Sequence, residues 1–175
     1  PEGSTYTNHW SSPTFLVDIF EESSSIRGGG EAFLRSILDD TRGTVQDWSG
    51  QELENSGLYG IRVYTQGSIL NPHVDVLPNV MSVVINVAQD VDQQWPFELI
   101  GHDGIAYNIT MEPGEMIVYE SHSILHGRPF AMQGRYYANL FAHFEPTGHS
   151  IKYHGYDVAE ETKRNLKDRI RITKN

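Results

Sequence analysis

The chain has 175 residues, no cysteine and a formal net charge of −10. That length can bury one core and falls short of two ordinary domains, and the acidic balance argues against a nucleic-acid partner held by general electrostatics, which needs a basic face. Without cysteine there are no disulfides, thiolate metal sites or thiol nucleophiles, so any metal must be held by histidine and carboxylate.

In chain order, Thr14 to Phe20 reads as a strand, and the Ser- and Gly-rich run from Glu21 to Gly30 reads as a loop. Phe33, Leu34, Ile37, Leu38, Val45 and Trp48 recur at helical spacing, which predicts a helix over 31 to 48 with one face on the core. From Leu58 the texture changes to short apolar or alternating runs broken by Gly, Pro, Asn and Asp, as in an antiparallel all-β unit. The runs are Leu58 to Tyr64, Met81 to Ala88, Phe97 to Ile100, Ile105 to Thr110, Glu115 to Glu120 and Arg135 to Phe144. His102-Asp103-Gly104 suits a hairpin turn, because Asp-Gly tolerates the positive φ such turns need. The charged tail from Val158 to Ile172 is helix-prone, with Asp157 and Glu160 placed as a capping box. These elements predict one domain over 1 to 175, with a β-core over 58 to 145 and flanking helices. No run of about 18 apolar residues suggests a membrane span. No signal peptide is visible in this chain, which begins at Pro1, and neither compartment nor oligomeric state is readable from it.

His73-Val74-Asp75 follows the first core strand, and residues two apart on an extended chain point to one side, so an imidazole and a carboxylate converge. Eight histidines and 23 acids in 175 residues give about one such pair by chance. The chain has a second, His143-Phe144-Glu145, so the spacing alone decides nothing. The surroundings add weight. Tyr64 and Gly67 precede His73 by nine and six residues and Pro72 abuts it, while downstream His126 is followed by Pro129, Gly134 and, nine residues on, Arg135.

That arrangement, over Leu58 to Phe144, resembles the prolyl 4-hydroxylase branch of the 2-oxoglutarate-dependent Fe(II) oxygenases. The resemblance implies a mainly β, α+β fold with a double-stranded β-helix (jelly-roll) core. It implies that His73, Asp75 and His126 hold Fe(II) as a facial triad, leaving three adjacent positions for 2-oxoglutarate and O2. It places Arg135 on the far carboxylate of 2-oxoglutarate, where a guanidinium fork can bind bidentately, with a phenolic hydrogen bond from Tyr64. The implied reaction is hydroxylation with release of succinate and CO2, with ascorbate as a supporting reductant, on a prolyl residue of a protein or peptide or on a small molecule. The chain departs from the collagen-type members in carrying Arg nine residues after the distal histidine instead of Lys at ten, a position held here by Tyr136. It also has Gln94-Trp95-Pro96-Phe97-Glu98 where many of them have Gly-Gly-Glu-Thr. Both differences bear on the substrate more than on the chemistry.

Several residues admit two readings. Arg128, two after His126, either shares that ligand's face and reaches the substrate or the oxo acid, or is a solvent-facing turn residue. Arg62 shares strand parity with Tyr64 and stands either at a pocket mouth or in a cross-strand ion pair. Tyr137 and Asn139 share parity with Arg135 and either line the pocket or serve the core, and Trp95 is read as core ahead of a peptide-binding ring. His122 and His126 are four apart, but Ser123 stands where a helical zinc pair needs glutamate. His9, His102, His143, His149 and His154 have no interpretable partner spacing. Two other functions compete with the oxygenase: a catalytically silent jelly-roll binding module, which the intact ligand set disfavours, and a cupin-like metalloenzyme without 2-oxoglutarate, which Arg135 and Tyr64 disfavour.

Overall fold

A computed structural model describes residues 12–20 and 29–149. The expected C-terminal helix, its capping box and most of the Ser- and Gly-rich loop lie outside the described residues. Nine strands and one helix follow in order: β1 (Thr14–Val17), α1 (Glu31–Ser49), β2 (Leu53–Thr65), β3 (Leu70–His73), β4 (Met81–Val91), β5 (Phe97–Ile100), β6 (Ala106–Ile109), β7 (Met116–Tyr119), β8 (Leu125–Arg128) and β9 (Gly134–Pro146). They form a five-stranded sheet, order β1-β2-β9-β4-β7, and a four-stranded sheet, order β3-β8-β5-β6. All strand pairings are antiparallel, and the two sheets make the double-stranded β-helix.

β9, at the centre of the larger sheet, is buried on both faces along most of its length. Its even-numbered residues Leu140, Ala142 and Phe144 pack with Val83, Leu34 and Val45 against α1. From Tyr137 to His143 its odd-numbered residues face the barrel interior, where Phe141 joins Val84, Phe97 and Tyr119, and Tyr137 joins Tyr64 and Trp95. On α1 the buried stripe is Leu34, Thr41 and Val45, with the Thr41 hydroxyl satisfied by the Ile37 carbonyl at 2.6 Å. Phe33 and Trp48, expected on that stripe, are exposed. The β5–β6 turn closes at Asp103-Gly104, where the Gly104 N–H donates to the Gly101 carbonyl at 2.8 Å. No helix among the described residues is long and apolar enough to cross a membrane.

β3 and β8 were not expected as strands, since each has four residues and one carries Pro72, the other Gly127. Gly127 has a steric reason: a Cβ there would lie 2.7 Å from the Leu70 carbonyl oxygen and 3.0 Å from Pro72. Only a residue without a side chain lets β3 approach β8 this closely.

Candidate metal centre

That close approach makes His73 and His126 direct cross-strand partners, with ring centroids 4.4 Å apart. Asp75 continues from the end of β3, its backbone N–H donating to the Ser121 carbonyl at 2.8 Å and its own carbonyl accepting from His122 Nδ1 at 2.8 Å. One oxygen of its carboxylate, Oδ1, lies 3.6 Å from His73 Nε2 and 3.7 Å from His126 Nε2. One donor atom from each of the three residues thus falls within 4.8 Å of the other two.

The imidazoles are oriented by their own backbone. His73 Nδ1 donates to the Asn71 carbonyl at 2.8 Å and His126 Nδ1 to the Ile124 carbonyl at 2.9 Å. A carbonyl only accepts, so each Nδ1 carries a proton, and each Nε2 is the ring nitrogen that faces Asp75. His126 is boxed by Tyr119 at 4.7 Å and Phe97 at 5.8 Å. Burial, with the nearby His73, pushes its pKa down to about 4, so it is neutral at pH 7. Burial also pushes the Asp75 carboxyl upward, but hydrogen bonds from His143 and His73 outweigh it and hold Asp75 well below the usual carboxylate range. His73 moves the other way: burial lowers its pKa, and the Asp75 and Asn71 contacts more than offset that. One carboxylate and two imidazoles that bring their Nε2 atoms to it are the donor set expected for a facial-triad divalent metal, so the residues present fit Fe(II).

The triad opens on a cavity of about 300 Å³ lined also by Tyr64, Arg62, Tyr119, Phe141 and His143, with Leu16, Tyr59 and Val76 exposed at its rim. Tyr64 is 2% exposed, and burial pushes its pKa up to about 12 against the opposing pull of Arg128 and Arg62, so it remains a phenol donor. Arg62 stands in the cavity wall, as one of its two readings had it, with a 3.5 Å contact to Thr14 Oγ1.

Arg135 is a correction. Alternation along β9 would point it inward with Tyr137 and Asn139, but the β4–β9 register slips between Asp90↔Tyr136 and Val91↔Gly134, leaving Arg135 as the extra residue of a β-bulge. Gly134, at φ 132, sits against β4 so closely that a Cβ would be 2.4 Å from Val91 Cα. The bulge turns Arg135 outward, where its side chain is 77% exposed and pairs with Asp90 at 2.9 Å.

Arg128 occupies the interior instead. It is fully buried, its guanidinium lying 4.7 Å from the Trp95 ring centroid and 4.4 Å from that of Tyr137, with Nη1 donating to the Trp95 carbonyl. Among the described residues its Nε and Nη2 and the Tyr137 hydroxyl meet no partner at good hydrogen-bond geometry, nor do the amide atoms of buried Asn139, although the guanidinium and the Tyr137 hydroxyl act on each other. Trp95 is core, 2% exposed, its indole N–H bonded to the Phe130 carbonyl at 2.6 Å.

Of the other histidines, His102 pairs with Glu120 at 2.7 Å on the surface and His149 lies 3.2 Å from Glu145. His9 and His154 fall outside the described residues. His143 is the residue that sequence reasoning missed. It is buried, lines the cavity and lies 3.4 Å from the second oxygen of Asp75. The available signal was its parity with Tyr137 and Asn139 along β9.

No protein-family model matches the sequence, and no curated protein matches it. Among solved structures, the fold is similar to an oxidoreductase of the 2OG-Fe(II) oxygenase family from Burkholderia pseudomallei, at TM-score 0.53 and 18% identity over 65% of this chain. This chain spans 56% of that protein. It is similar to a prolyl-4-hydroxylase from Pseudomonas putida at TM-score 0.50 and 18% identity, covering 70% of each chain. A viral collagen prolyl hydroxylase from Paramecium Bursaria Chlorella virus-1, solved as a 2OG complex, gives TM-score 0.53 at 10% identity over 77% of this chain and 78% of that one. At these identities the likeness is one of fold.

Proposed function

We propose that this chain is a 2-oxoglutarate- and Fe(II)-dependent dioxygenase that hydroxylates a prolyl residue of a protein or peptide. The observation that carries the reading is the convergence of His73 Nε2, His126 Nε2 and Asp75 Oδ1 at one cavity, with each Nδ1 held on a backbone carbonyl so that Nε2 is the nitrogen left for a metal. These three residues would hold the iron. When bound, iron and 2-oxoglutarate supply the oxidising chemistry, in which one oxygen atom of O2 enters succinate as CO2 leaves and the other enters the substrate.

The protein's own residues bind, orient and exclude water. Tyr64 and Arg128 are assigned to the far carboxylate of the oxo acid: Tyr64 lines the cavity as a buried donor, and Arg128, whose charge acts on Tyr64, has two nitrogens, Nε and Nη2, without a well-placed acceptor among the described residues. A buried guanidinium with unmet donors is costly, and a carboxylate satisfies both its charge and its hydrogen bonds. The apolar rim of Leu16, Tyr59 and Val76 suits a substrate segment that covers the mouth and keeps water out. The prolyl assignment is supported by the spacings from Tyr64 through Gly67 to His73 and Asp75 and by the likeness to two prolyl hydroxylase folds. A second reading, a free amino acid or other small carboxylate as substrate, is favoured by Arg62 in the cavity wall.

The test is succinate release with Fe(II), ascorbate and 2-oxoglutarate across a panel of proline-containing peptides and free amino acids, with mass spectrometry for one added oxygen. The expected result is succinate that depends on both iron and 2-oxoglutarate, with the oxygen on proline. Oxygen only on a free amino acid selects the second reading, and no succinate under any condition rejects the enzyme assignment.

A further inference from the structure

The carboxylate of Asp75 has two oxygens in different surroundings. Oδ1 faces His73 and His126, whereas Oδ2 faces a buried polar cluster from three elements: Ser82 on β4, His143 on β9 and Ser121 after β7. Ser82 and His143 are direct cross-strand partners, so the sheet register itself sets them side by side. Ser82 and Ser121 are 0% exposed and His143 is 6% exposed. Burying this much polar surface is unfavourable unless the groups satisfy one another, so the pattern of their protons is constrained.

Ser82 Oγ lies 2.6 Å from His143 Nδ1, 2.7 Å from Ser121 Oγ and 3.3 Å from Asp75 Oδ2. A hydroxyl has one proton to donate, and an ionised carboxylate has none. The arrangement that gives Oδ2 a proton has Ser82 donating to Asp75 while accepting from His143 Nδ1–H. His143 Nδ1–H also lies 3.4 Å from Oδ2, so it approaches the same oxygen without the intermediary. Ser121 completes the cluster through Ser82 or through the Asn79 carbonyl at 3.2 Å. None of these groups is among the three metal donors, yet two converge on the ligand oxygen that does not face the imidazoles.

We infer that His143 and Ser82 are positioning residues for the metal: they hold Asp75 Oδ2 so that the carboxylate offers a bound ion Oδ1 alone and leaves the remaining positions open. An Asp75 free to rotate would present either oxygen or both, and a two-oxygen grip would occupy a position that the oxo acid or O2 needs. This inference rests on the metal assignment above and adds two residues to it.

The experiment is Co(II) titration of the metal-free chain by calorimetry and by the visible ligand-field bands, with thermal melts of every variant. Wild type binds Co(II) and Asp75→Ala does not. Ser82→Ala and His143→Ala are each expected to weaken binding by about 10- to 100-fold, as loss of a ligand-orienting partner does elsewhere, and to shift the ligand-field bands. Because both act on one oxygen, the double variant is expected to lose little more than the worse single variant. His143→Asn, whose amide N–H replaces Nδ1–H, is expected to recover most of the affinity. Wild-type affinity and bands in Ser82→Ala, which removes only one oxygen atom and keeps the fold, overturn the inference, as do additive losses without rescue by His143→Asn. Failure of the wild-type chain to bind Co(II) instead rejects the metal assignment itself, so the two failures are told apart.

Discussion

A guanidinium with no carboxylate beside it among the described residues, shut in by Trp95, Phe97 and Tyr137, gains more from an incoming anion than one already paired at the surface. Arg128 is in the first situation and Arg135 in the second. Arg128→Gln is therefore expected to raise the 2-oxoglutarate concentration for half-maximal succinate release by about 10- to 100-fold, the loss of one charge-assisted contact in a dry site. Arg135→Ala is expected to leave it within about twofold, as suits an exposed ion pair. Thermal melts separate any loss of fold from loss of binding. An equal effect in Arg135→Ala would mean that the bulge at Gly134 relaxes and turns Arg135 inward, and would return the role to it.

Among the elements, two adjacent four-residue strands of the smaller sheet carry the most chemistry. β3 and β8 hold His73 and His126, and their separation depends on the missing side chain at Gly127. Gly127→Ala sets a methyl 2.7 Å from the Leu70 carbonyl oxygen, which is backbone and yields only by moving β3. The expected outcome is a loss of about 1 to 3 kcal/mol in stability together with weaker metal binding, because the His73–His126 spacing opens with the strands. Gly43→Ala is the matched control: it lies inside α1 with nothing within 4 Å of the added Cβ. It is expected to stabilise the helix by about 0.5 to 1 kcal/mol and to leave metal binding unchanged. Denaturant melts and Co(II) titration of both variants check the pair, and wild-type metal affinity in Gly127→Ala would disconnect the strand spacing from the site.

Over the whole molecule, the metal-free centre makes stability depend on pH. The unfolded chain protonates His126 near its ordinary 6.5, whereas in the folded chain this waits until about 4. The unfolded state then binds more protons in that window, so His126's contribution is complete above pH 6.5 and is lost as pH falls toward about 4, on the order of 3 kcal/mol. Asp75, also depressed, adds a loss in the same sense below its ordinary 3.8. His73 is raised, so its contribution is complete below 6.5 and fades as pH rises past its folded value, which places its slope on the alkaline side. The expected profile is a melting temperature that falls as the metal-free protein is taken from pH 6.5 to 4. A flat profile over that range would mean that His126 is not enclosed as described.

The sequence by itself determined the helix α1 and the all-β texture from Leu58 onward, which follow from local periodicity, and its resemblance to the oxygenase branch implied the ligand candidates His73, Asp75 and His126. The resemblance also implied a phenolic donor at Tyr64, which lines the cavity. Alternation failed at Arg135, since a β-bulge inverts the facing of one residue and depends on how closely Gly134 packs on a strand more than forty residues earlier. Only the tertiary structure decided that Arg128 is the interior cation, that Gly127 lets two four-residue strands meet, and that His143 lies against Asp75 through Ser82, a partner 61 residues away. Those are matters of cross-strand register, which is set by how whole sheets pack and not by spacing along one strand, so parity on β9 could mark His143 but not name its partner.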